Sequence, residues 1–275
     1  MFDTTNWFKL KIILNNEDYK NTSLQNTQFQ KLLNVLNDED YNIGDLMSVY
    51  FDLLIQRTNF NIEDGGFELI NHKSAVKNFY DDEEVVQVYY KEMSEYVQEK
   101  VEADSVYIFS HITRNEAEAD SGKRKGGHRL VHNDFTTNFN KTLDPFIKEI
   151  GTTPKRIEVF NLWRRFDKDG TDTPFAVCDK RTVSEKELIP TDLFNYIGDE
   201  PQGLTVEIYQ SAHNQDHKWY FYPKMNRDEV LMFKTYDSLD NPFLPTLHSA
   251  FDDTSTKKNA SPRESIEVRA VCLFN

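Results

Sequence analysis

Residues 263–274, RESIEVRAVCLF, alternate between polar and apolar side chains over most of their length. A period of two predicts a β-strand that presents one polar face and one apolar face. The polar face carries Arg263, Ser265, Glu267 and Arg269. The apolar face carries Ile266, Val268 and Ala270. We therefore expect one side of this strand to pack into a core, while the other side faces either solvent or a polar site.

Seven further runs of β-branched and aromatic residues follow one another from about Asp104, and turn residues separate them. They are VYIFSHI (106–112), RLVHNDF (129–135), RIEVFNLW (156–163), PFAVCD (174–179), LTVEIYQ (204–210), KWYFYP (218–223) and VLMFKTY (230–236). Eight short strands predict a sandwich or barrel, and a jelly roll is a common way to close eight strands. The stretch 181–196, RTVSEKELIPTDLFNY, is expected to be a polar crossing loop with one helical turn.

The first hundred residues favour helices that buttress the β part. One predicted helix face carries Phe29, Leu32, Leu33 and Leu36. A second follows an acidic start at 81–84 and carries Val86, Tyr89, Met93, Tyr96 and Val97; acidic residues are favourable at a helix N-terminus. A chain of 275 residues suits one large domain. We predict a single α+β domain over 1–275, mainly β with flanking helices, with a mostly helical part at 1–103 and a jelly-roll, cupin-like core at 104–275.

Charge and composition exclude several classes of function. Lys and Arg total 32 against 46 Asp and Glu, and the resulting net charge of −14 repels phosphate backbones and anionic membranes. No uncharged apolar run approaches the ~18 residues that a membrane span requires, and the first residues lack a secretory signal pattern. We expect a cytoplasmic protein that binds neither nucleic acid nor membranes. Cys178 and Cys272 lie in apolar runs and are expected to be buried thiols, neither a disulfide nor a nucleophile.

An H-x-D pair is the first candidate for chemistry. His132 and Asp134 are separated by one residue in a β-type run, so strand alternation places both side chains on one face. His248, just before the last strand, is the best-placed third ligand. Two histidines and one carboxylate on one side of a metal leave its other positions open, as in non-haem Fe(II) oxygenases. An H-x-D pair alone is weak support, because a surface histidine beside an aspartate is common.

Arg263 and Ser265 supply a second candidate feature. If both face a metal site, the guanidinium can bind a carboxylate through a charge-assisted fork, and the hydroxyl adds one hydrogen bond. The alternative is a half-exposed strand whose polar face is wet.

Six segments together resemble a known family. They are VHNDFT, NLWRRF, FAVCDKRTV, KWYFYPKMNRDEVLMFKTYDS, LHSAF and PRESIEVRAV, and the resemblance runs from about Gly66 to Asn275. In order and wording they are similar to the family that includes the cephalosporin 7α-methoxylation subunit CmcJ and the gibberellin-desaturase-like and AsaB-like hydroxylases. The resemblance implies a double-stranded β-helix core, Fe(II) as the metal, 2-oxoglutarate and O2 as cosubstrates, and small molecules of secondary metabolism as substrates.

The resemblance also implies roles for individual residues. His132 and Asp134 match the family's H-N-D element and His248 matches its H-x-A-F element, which makes the three of them the implied iron ligands. Arg263 and Ser265 match the Arg-x-Ser pair that holds the distal carboxylate of 2-oxoglutarate in many relatives.

Two further arginines are candidates for the cosubstrate. Arg269 shares a strand face with Arg263 and competes with it. Arg164, in NLWRRF, is expected to contact 2-oxoglutarate or an acidic substrate, because an unpaired charge inside a barrel is costly. Two motifs depart from the family: Arg165 stands where relatives usually carry Pro, and SHITRN (110–115) replaces an Asp-His-Thr-like motif. These departures bear on the substrate, not on the iron site.

Four other histidines are less informative. His128 and His111 flank the iron strand, and either can face the pocket, although a histidine satisfied by backbone or solvent is the more frequent outcome. His213 and His217 have the spacing of a zinc pair, but they lie in the turn-like run QSAHNQDHKWY and are expected to be solvated. Segment 116–127, EAEADSGKRKGG, is either a lid or a solvated surface loop.

A basic cluster just before His132 gives the only indication of the substrate. It consists of Lys123, Arg124, Lys125 and Arg129. In a chain of net charge −14 these side chains are expected to attract an acidic or amino-acid-like small molecule. The alternative is a solvated loop.

The sequence thus predicts an Fe(II)/2-oxoglutarate-dependent dioxygenase that acts on a small, carboxylate-bearing metabolite. Hydrogen-atom abstraction would lead to hydroxylation, desaturation or oxidative cyclisation. Two alternatives stay open, a cupin-like metalloenzyme that needs no 2-oxoglutarate and a non-catalytic accessory subunit. The methoxylation relative leaves room for a partner subunit, which nothing in this sequence indicates.

Overall fold

The computed structural model of the protein describes residues 60–167, 171, 173–197, 204–222, 225–253 and 260–275. They belong to one compact unit, Asn59–Asn275. The helix face predicted over 29–36 lies outside the described residues. The division into a helical part at 1–103 and a core at 104–275 therefore stays a prediction.

The described strands form two antiparallel sheets. The strands are β1 (Phe67–Asn71), β2 (Ser105–Asn115), β3 (His132–Asn133), β4 (Arg156–Arg165), β5 (Phe175–Cys178), β6 (Leu188–Ile197), β7 (Leu204–Ser211), β8 (Trp219–Phe221), β9 (Glu229–Asp237), β10 (His248–Ala250) and β11 (Glu264–Phe274). One sheet has the order β1-β9-β4-β11-β2, and the other has the order β6-β7-β3-β10-β5-β8. This two-sheet arrangement confirms the predicted jelly roll.

All eight predicted strand runs contain strands, but the loop predicted at 181–196 is wrong over most of its length. Two short 3-10 turns, Lys180–Thr182 and Glu185–Glu187, lead into β6, which pairs with β7 along the edge of its sheet. An edge strand is open to solvent along one side, so its composition is more polar than that of a buried strand. β1 is likewise an edge strand and was not predicted.

The hydrophobic core fills the space between the sheets. Phe67, Trp163 and Phe233 of the five-stranded sheet cluster with Phe175 and Val177 of the other sheet. Trp163 stacks on Phe175, with ring centroids 4.8 Å apart and an angle of 12° between the planes. Because residues alternate along a strand, the same packing points the neighbours of Trp163 on β4 to the outer face of the sheet.

A helical segment covers that outer face. It consists of α1 (Asp82–Glu84), a π turn (Val85–Tyr89) and α2 (Tyr90–Val101), and the Asp81 carboxylate caps its start. The buried side chains are Val85, Tyr89, Met93 and Val97, which pack against Leu162, Met232 and Val268. The predicted helix is confirmed, but Val86 was wrongly placed on its buried face and is 49% exposed. The π turn keeps Val85 on that face instead, four residues before Tyr89.

Two further helices are α3 (Glu116–Ala119) and α4 (Phe139–Ile150). Among the described residues, none of the helices has the length and hydropathy needed to cross a membrane. Cys178 and Cys272 are free and buried, as predicted, and burial raises the pKa of the Cys178 thiol to about 12. Neither thiol is therefore suited to act as a nucleophile.

Candidate active site

The pairing of two short strands brings the predicted metal ligands together. In the register between β3 and β10, His132 lies directly opposite His248. Asp134 follows β3, and its Oδ1 atom lies 3.5 Å from His132 Nε2 and 3.8 Å from His248 Nε2. The ligand atoms of the three residues all lie within 4.8 Å of one another. The set could therefore hold a metal ion, as the H-x-D spacing predicted.

Backbone carbonyls fix the tautomer of both histidines. His132 Nδ1 lies 2.8 Å from the Leu130 carbonyl oxygen, and His248 Nδ1 lies 3.2 Å from the Thr246 carbonyl oxygen. A carbonyl can only accept a hydrogen bond, so each Nδ1 must carry the proton. Each Nε2 then keeps its lone pair and points toward Asp134, which is the arrangement that metal-binding histidines need.

The Asp134 carboxylate is held by its other oxygen. Arg269 Nε and Asn161 Nδ2 each donate a hydrogen bond of 2.7 Å to Asp134 Oδ2. Burial alone would raise the pKa of Asp134, but the Arg269 guanidinium keeps this pKa well below its usual range. The carboxylate is therefore ionised, and its Oδ1 atom remains available to a metal.

Arg269 thus has a different role from the predicted one. Besides the bond to Asp134, its guanidinium lies 3.0 Å from Glu267 Oε1, and that oxygen also accepts a hydrogen bond of 3.1 Å from Asn161. Arg269 is bound within this buried network and orients a candidate metal ligand. The structure does not support it as the competitor of Arg263 for 2-oxoglutarate.

Several buried polar atoms near the candidate metal site have no hydrogen-bond partner. Three of them are Arg263 Nε, Ser265 Oγ and Trp163 Nε1. Arg263 is 1% exposed, and its guanidinium lies over the indole of Trp163 at 6.0 Å. One hydrogen bond, of 3.3 Å from its Nη1 to the Thr173 carbonyl oxygen, connects it to the described residues. Burial lowers the pKa of Arg263 to about 10, with a further contribution from Arg114.

Unpaired buried donors are costly and usually indicate a missing partner. All three of these groups can donate a hydrogen bond, so an anionic ligand with several acceptor oxygens would satisfy them. The distal carboxylate of 2-oxoglutarate has this chemistry.

A small cavity connects Arg263 and Trp163 with the candidate metal ligands. Besides His132, Asp134 and His248, it is lined by Arg114, His128, Trp163, Phe175, Ala250, Arg263, Glu267 and Arg269. The question that the sequence left open for His128 is answered, since this histidine faces the cavity. Arg114 and Asn161 were not among the predicted site residues. Arg114 lies opposite Ser265 in the pairing of β2 with β11, and only this long-range register could have revealed it.

The structure places Arg164 away from the cavity, so the predicted contact with 2-oxoglutarate or substrate is not supported. Its Nε atom donates a 3.0 Å hydrogen bond to the Tyr89 hydroxyl. Its other nitrogens bond to the carbonyl oxygens of His72 and Arg227 and contact the ring nitrogen of His72. Arg164 follows Trp163, which faces inward, so it points outward beneath the helical segment.

We expect Arg164→Met to lower the stability of the protein without weakening cosubstrate binding. The substitution leaves the Tyr89 hydroxyl and two backbone carbonyls without their donor, and each unsatisfied buried group costs about 1–3 kcal/mol. The free energy of unfolding should therefore fall by about 3 kcal/mol or more. Denaturant unfolding measures this loss, and the KM for 2-oxoglutarate should stay unchanged. A raised KM in a folded variant would return Arg164 to the cosubstrate site.

Three members of the basic cluster predicted to attract the substrate are paired with acidic side chains instead. Lys123 and Arg124 form ion pairs with Glu118. Arg129 pairs with Glu116 at 2.6 Å and with Asp252 at 2.8 Å. Their charges are largely compensated, and none of the three lines the cavity. The fourth, Lys125, is an exposed residue. Partial desolvation of its ammonium group lowers the pKa of Lys125, as do the charges of Arg114 and Arg269 at the cavity.

Two of the remaining described histidines, His111 and His217, contact acidic side chains. His111 Nδ1 lies 2.8 Å from the Tyr90 hydroxyl, and His111 Nε2 lies 3.2 Å from Asp82. His217 Nε2 lies 2.8 Å from Glu187, and its side chain is only 4% exposed, so the expectation that it is solvated is wrong. His213 is exposed, as predicted.

Comparisons with known proteins agree with this geometry. The family model described as "Oxidoreductase/YMDC permease-like domain" matches residues 20–273. The chain is 30% identical over 230 residues to the alpha-ketoglutarate-dependent dioxygenase phiK of Fungal sp. (strain ATCC 74256), covering 78% of this chain and 80% of phiK. It is 28% identical over 250 residues to the hydroxylase/desaturase efuI of Hormonema carpetanum, covering 81% and 82% of the two chains.

A solved structure is similar as well. The iron and alpha-ketoglutarate-dependent endoperoxidase NvfI superposes with a TM-score of 0.69 and 26% identity, covering 80% of this chain and 83% of NvfI. The predicted resemblance is thus confirmed, and it favours an oxygenase over the cupin-like and non-catalytic alternatives. The extent of the family match and the identity to phiK show that the chain belongs to the Fe(II)/2-oxoglutarate-dependent dioxygenase family, as an enzyme that uses Fe(II), 2-oxoglutarate and O2.

Proposed function

We propose that this dioxygenase oxidises a small, carboxylate-bearing metabolite of specialised metabolism by hydroxylation, desaturation or oxidative cyclisation. The observation that carries the proposal is that the His132, Asp134 and His248 ligand set shares one cavity with Arg263 and Trp163, each of which keeps a buried donor atom without a hydrogen-bond partner. The efuI relative bears the name hydroxylase/desaturase, and NvfI bears the name endoperoxidase. These names support the proposal that several kinds of substrate oxidation can take place at the same type of iron site.

In this proposal His132, Asp134 and His248 hold Fe(II). When bound there, Fe(II) with 2-oxoglutarate and O2 would supply the oxidising power for hydrogen-atom abstraction from the substrate. The residues around the metal hold its ligands in place: the Leu130 and Thr246 carbonyls orient the imidazoles, and Arg269 and Asn161 orient the carboxylate. Such outer contacts are typically worth about 10–100-fold in metal affinity or activity.

Arg263, Ser265 and Trp163 hold the distal carboxylate of 2-oxoglutarate in the same proposal. The backbone at Gly127 lies directly against Arg263, since a Cβ atom there would be 2.6 Å from Arg263 Nη2. This close approach requires glycine, because any side chain would displace the guanidinium. The covering backbone also keeps water away from Arg263, which strengthens its attraction for an anion.

The segment that contains Gly127 is attached to the cavity wall. Glu116 Oε2 accepts a 2.8 Å hydrogen bond from the Gly127 backbone, and the Gly126 carbonyl accepts one of 2.7 Å from Arg114 Nη1. Segment 116–127 therefore lies beside the cavity, where a lid would have to be. The choice between a lid and a solvated loop stays open, as does the involvement of a partner subunit, and the cytoplasmic location stays a prediction.

An anaerobic titration tests the proposed function. Fe(II) and then 2-oxoglutarate are added to metal-free protein, and the weak visible charge-transfer band of a chelated keto acid is recorded. We expect the band with the wild-type protein and succinate formation on admitting O2. Bound metal without a band would reject 2-oxoglutarate chelation at this site.

A further inference from the structure

His128 presents a buried nitrogen to the cavity that the proposed function does not use. Its Nε2 atom has no hydrogen-bond partner, and its ring contacts that of His132 in a T-shaped arrangement at 4.3 Å between centroids. The group of mutually close metal-ligand atoms among the described residues does not include it. An imidazole carries at least one N–H in either of its neutral tautomers, so His128 can donate a hydrogen bond into the cavity.

Arg114 brings a positive charge to the same cavity. Its Nη1 atom donates to the Gly126 carbonyl at 2.7 Å, and this is its one side-chain hydrogen bond among the described residues. No carboxylate of those residues lies within ion-pair distance of it. The two acidic groups that line the cavity, Asp134 and Glu267, are already engaged by Arg269 and Asn161. The remaining guanidinium donors of Arg114 therefore face the cavity without an acidic partner.

Besides Arg263 and Trp163, the cavity thus presents Arg114 and His128 as donors for an anion. Ser265, with its unpartnered hydroxyl, lies opposite Arg114 in the register between β2 and β11. The two oxygens of one distal carboxylate accept about four hydrogen bonds, so a second anionic group is needed to satisfy all five donor groups. A neutral occupant would leave the Arg114 charge uncompensated, which is costly in a partly buried position.

We propose that Arg114 and His128 form a second carboxylate-binding subsite, which takes the acidic group of the organic substrate beside the metal. The guanidinium supplies the charge and the imidazole supplies a directed hydrogen bond. The inference rests on the proposed function and replaces the basic cluster at 123–129 as the site that selects an acidic substrate.

The test uses the anaerobic complex of the full chain with Fe(II) and saturating 2-oxoglutarate. Benzoate is the probe, benzamide is its uncharged control, and the visible absorption of the complex reports binding. We expect benzoate, and not benzamide, to perturb the spectrum in a saturable way. Arg114→Gln and, separately, His128→Phe should weaken the benzoate effect about tenfold, the size expected for one charge-assisted hydrogen bond. Arg124→Gln, which removes a cation outside the cavity, should leave it unchanged.

The outcomes separate the two possible sources of the carboxylate. If Arg114→Gln and His128→Phe keep the wild-type affinity for 2-oxoglutarate and lose only the benzoate effect, the subsite belongs to the substrate. If they weaken 2-oxoglutarate binding as strongly as Arg263→Met does, they belong to the cosubstrate site and the proposal is overturned. A spectrum insensitive to benzoate, or equally sensitive to benzamide, also overturns it. Failure of the wild-type band itself would instead reject the proposed function on which the subsite depends.

Discussion

Removing one imidazole from the metal site, in His132→Ala, is expected to abolish iron binding and all turnover. His132 contributes one of three ligands, and its Nε2 atom lies 3.5 Å from the carboxylate oxygen that completes the set. The loss of a ligand should exceed the roughly 10–100-fold that removing an outer-shell contact costs in metal affinity. Metal content after dialysis against Fe(II) and succinate formation under O2 measure the two effects.

His111→Ala is the matched control for this prediction. His111 is also a partly buried histidine in contact with an acidic side chain, Asp82, but it bonds to Tyr90 and does not line the cavity. It should keep its iron and its activity. Normal iron binding by folded His132→Ala would show that the His-Asp-His set is not the metal centre.

Arg263→Met is expected to raise the KM for 2-oxoglutarate strongly while leaving the free protein at least as stable. Truncating one partner of a buried charge pair costs about 2–5 kcal/mol of binding free energy, which corresponds to a rise of roughly 30-fold or more. In the free protein, the Arg263 guanidinium is buried without an acidic partner among the described residues, and its Nε atom is unbonded. Replacing such a charge by an apolar chain of similar length should not destabilise the fold.

Two measurements test this pair of effects. Steady-state kinetics give the KM for 2-oxoglutarate, and thermal unfolding without cosubstrate gives the stability. Arg164→Met is the contrasting variant, because Arg164 is equally buried yet fully bonded on the outer face of the same sheet; it should lose stability and keep its KM. An unchanged KM in Arg263→Met would remove Arg263 from the cosubstrate site.

The sequence was most informative where a local repeat determines which face a side chain occupies. The period of two in RESIEVRAVCLF places Arg263, Ser265, Glu267 and Arg269 on one face. In the structure Arg263 Nε and Ser265 Oγ are buried without a hydrogen-bond partner, and Glu267 and Arg269 belong to the network around Asp134. The one-residue spacing of His132 and Asp134 likewise predicted a shared side. These outcomes depend only on strand geometry, which acts over a few residues.

The same local reasoning does not specify a side chain's partners. Arg263, just before β11, and Arg269, on β11, point to the same face of the sheet. Only Arg269 lies at the level of Asp134, so Arg269 orients this candidate metal ligand. The outward direction of Arg164 follows from the inward position of its neighbour Trp163, and only the packing of the sheets shows that position. Charge patterning at 123–129 likewise could not show that Lys123, Arg124 and Arg129 form ion pairs with Glu116, Glu118 and Asp252.

The sequence by itself thus determined the class of fold, the H-x-D pair and the polar face of the last strand, since periodicity and spacing are local properties. The tertiary structure decided that His248 lies opposite His132, that Arg114 lies opposite Ser265, and that His128 faces the cavity. Those relations join residues more than a hundred positions apart or place a loop side chain, so they depend on strand register and sheet packing. Register is selected by the burial of whole strand faces, a property of the assembled sheets that no short stretch of sequence contains.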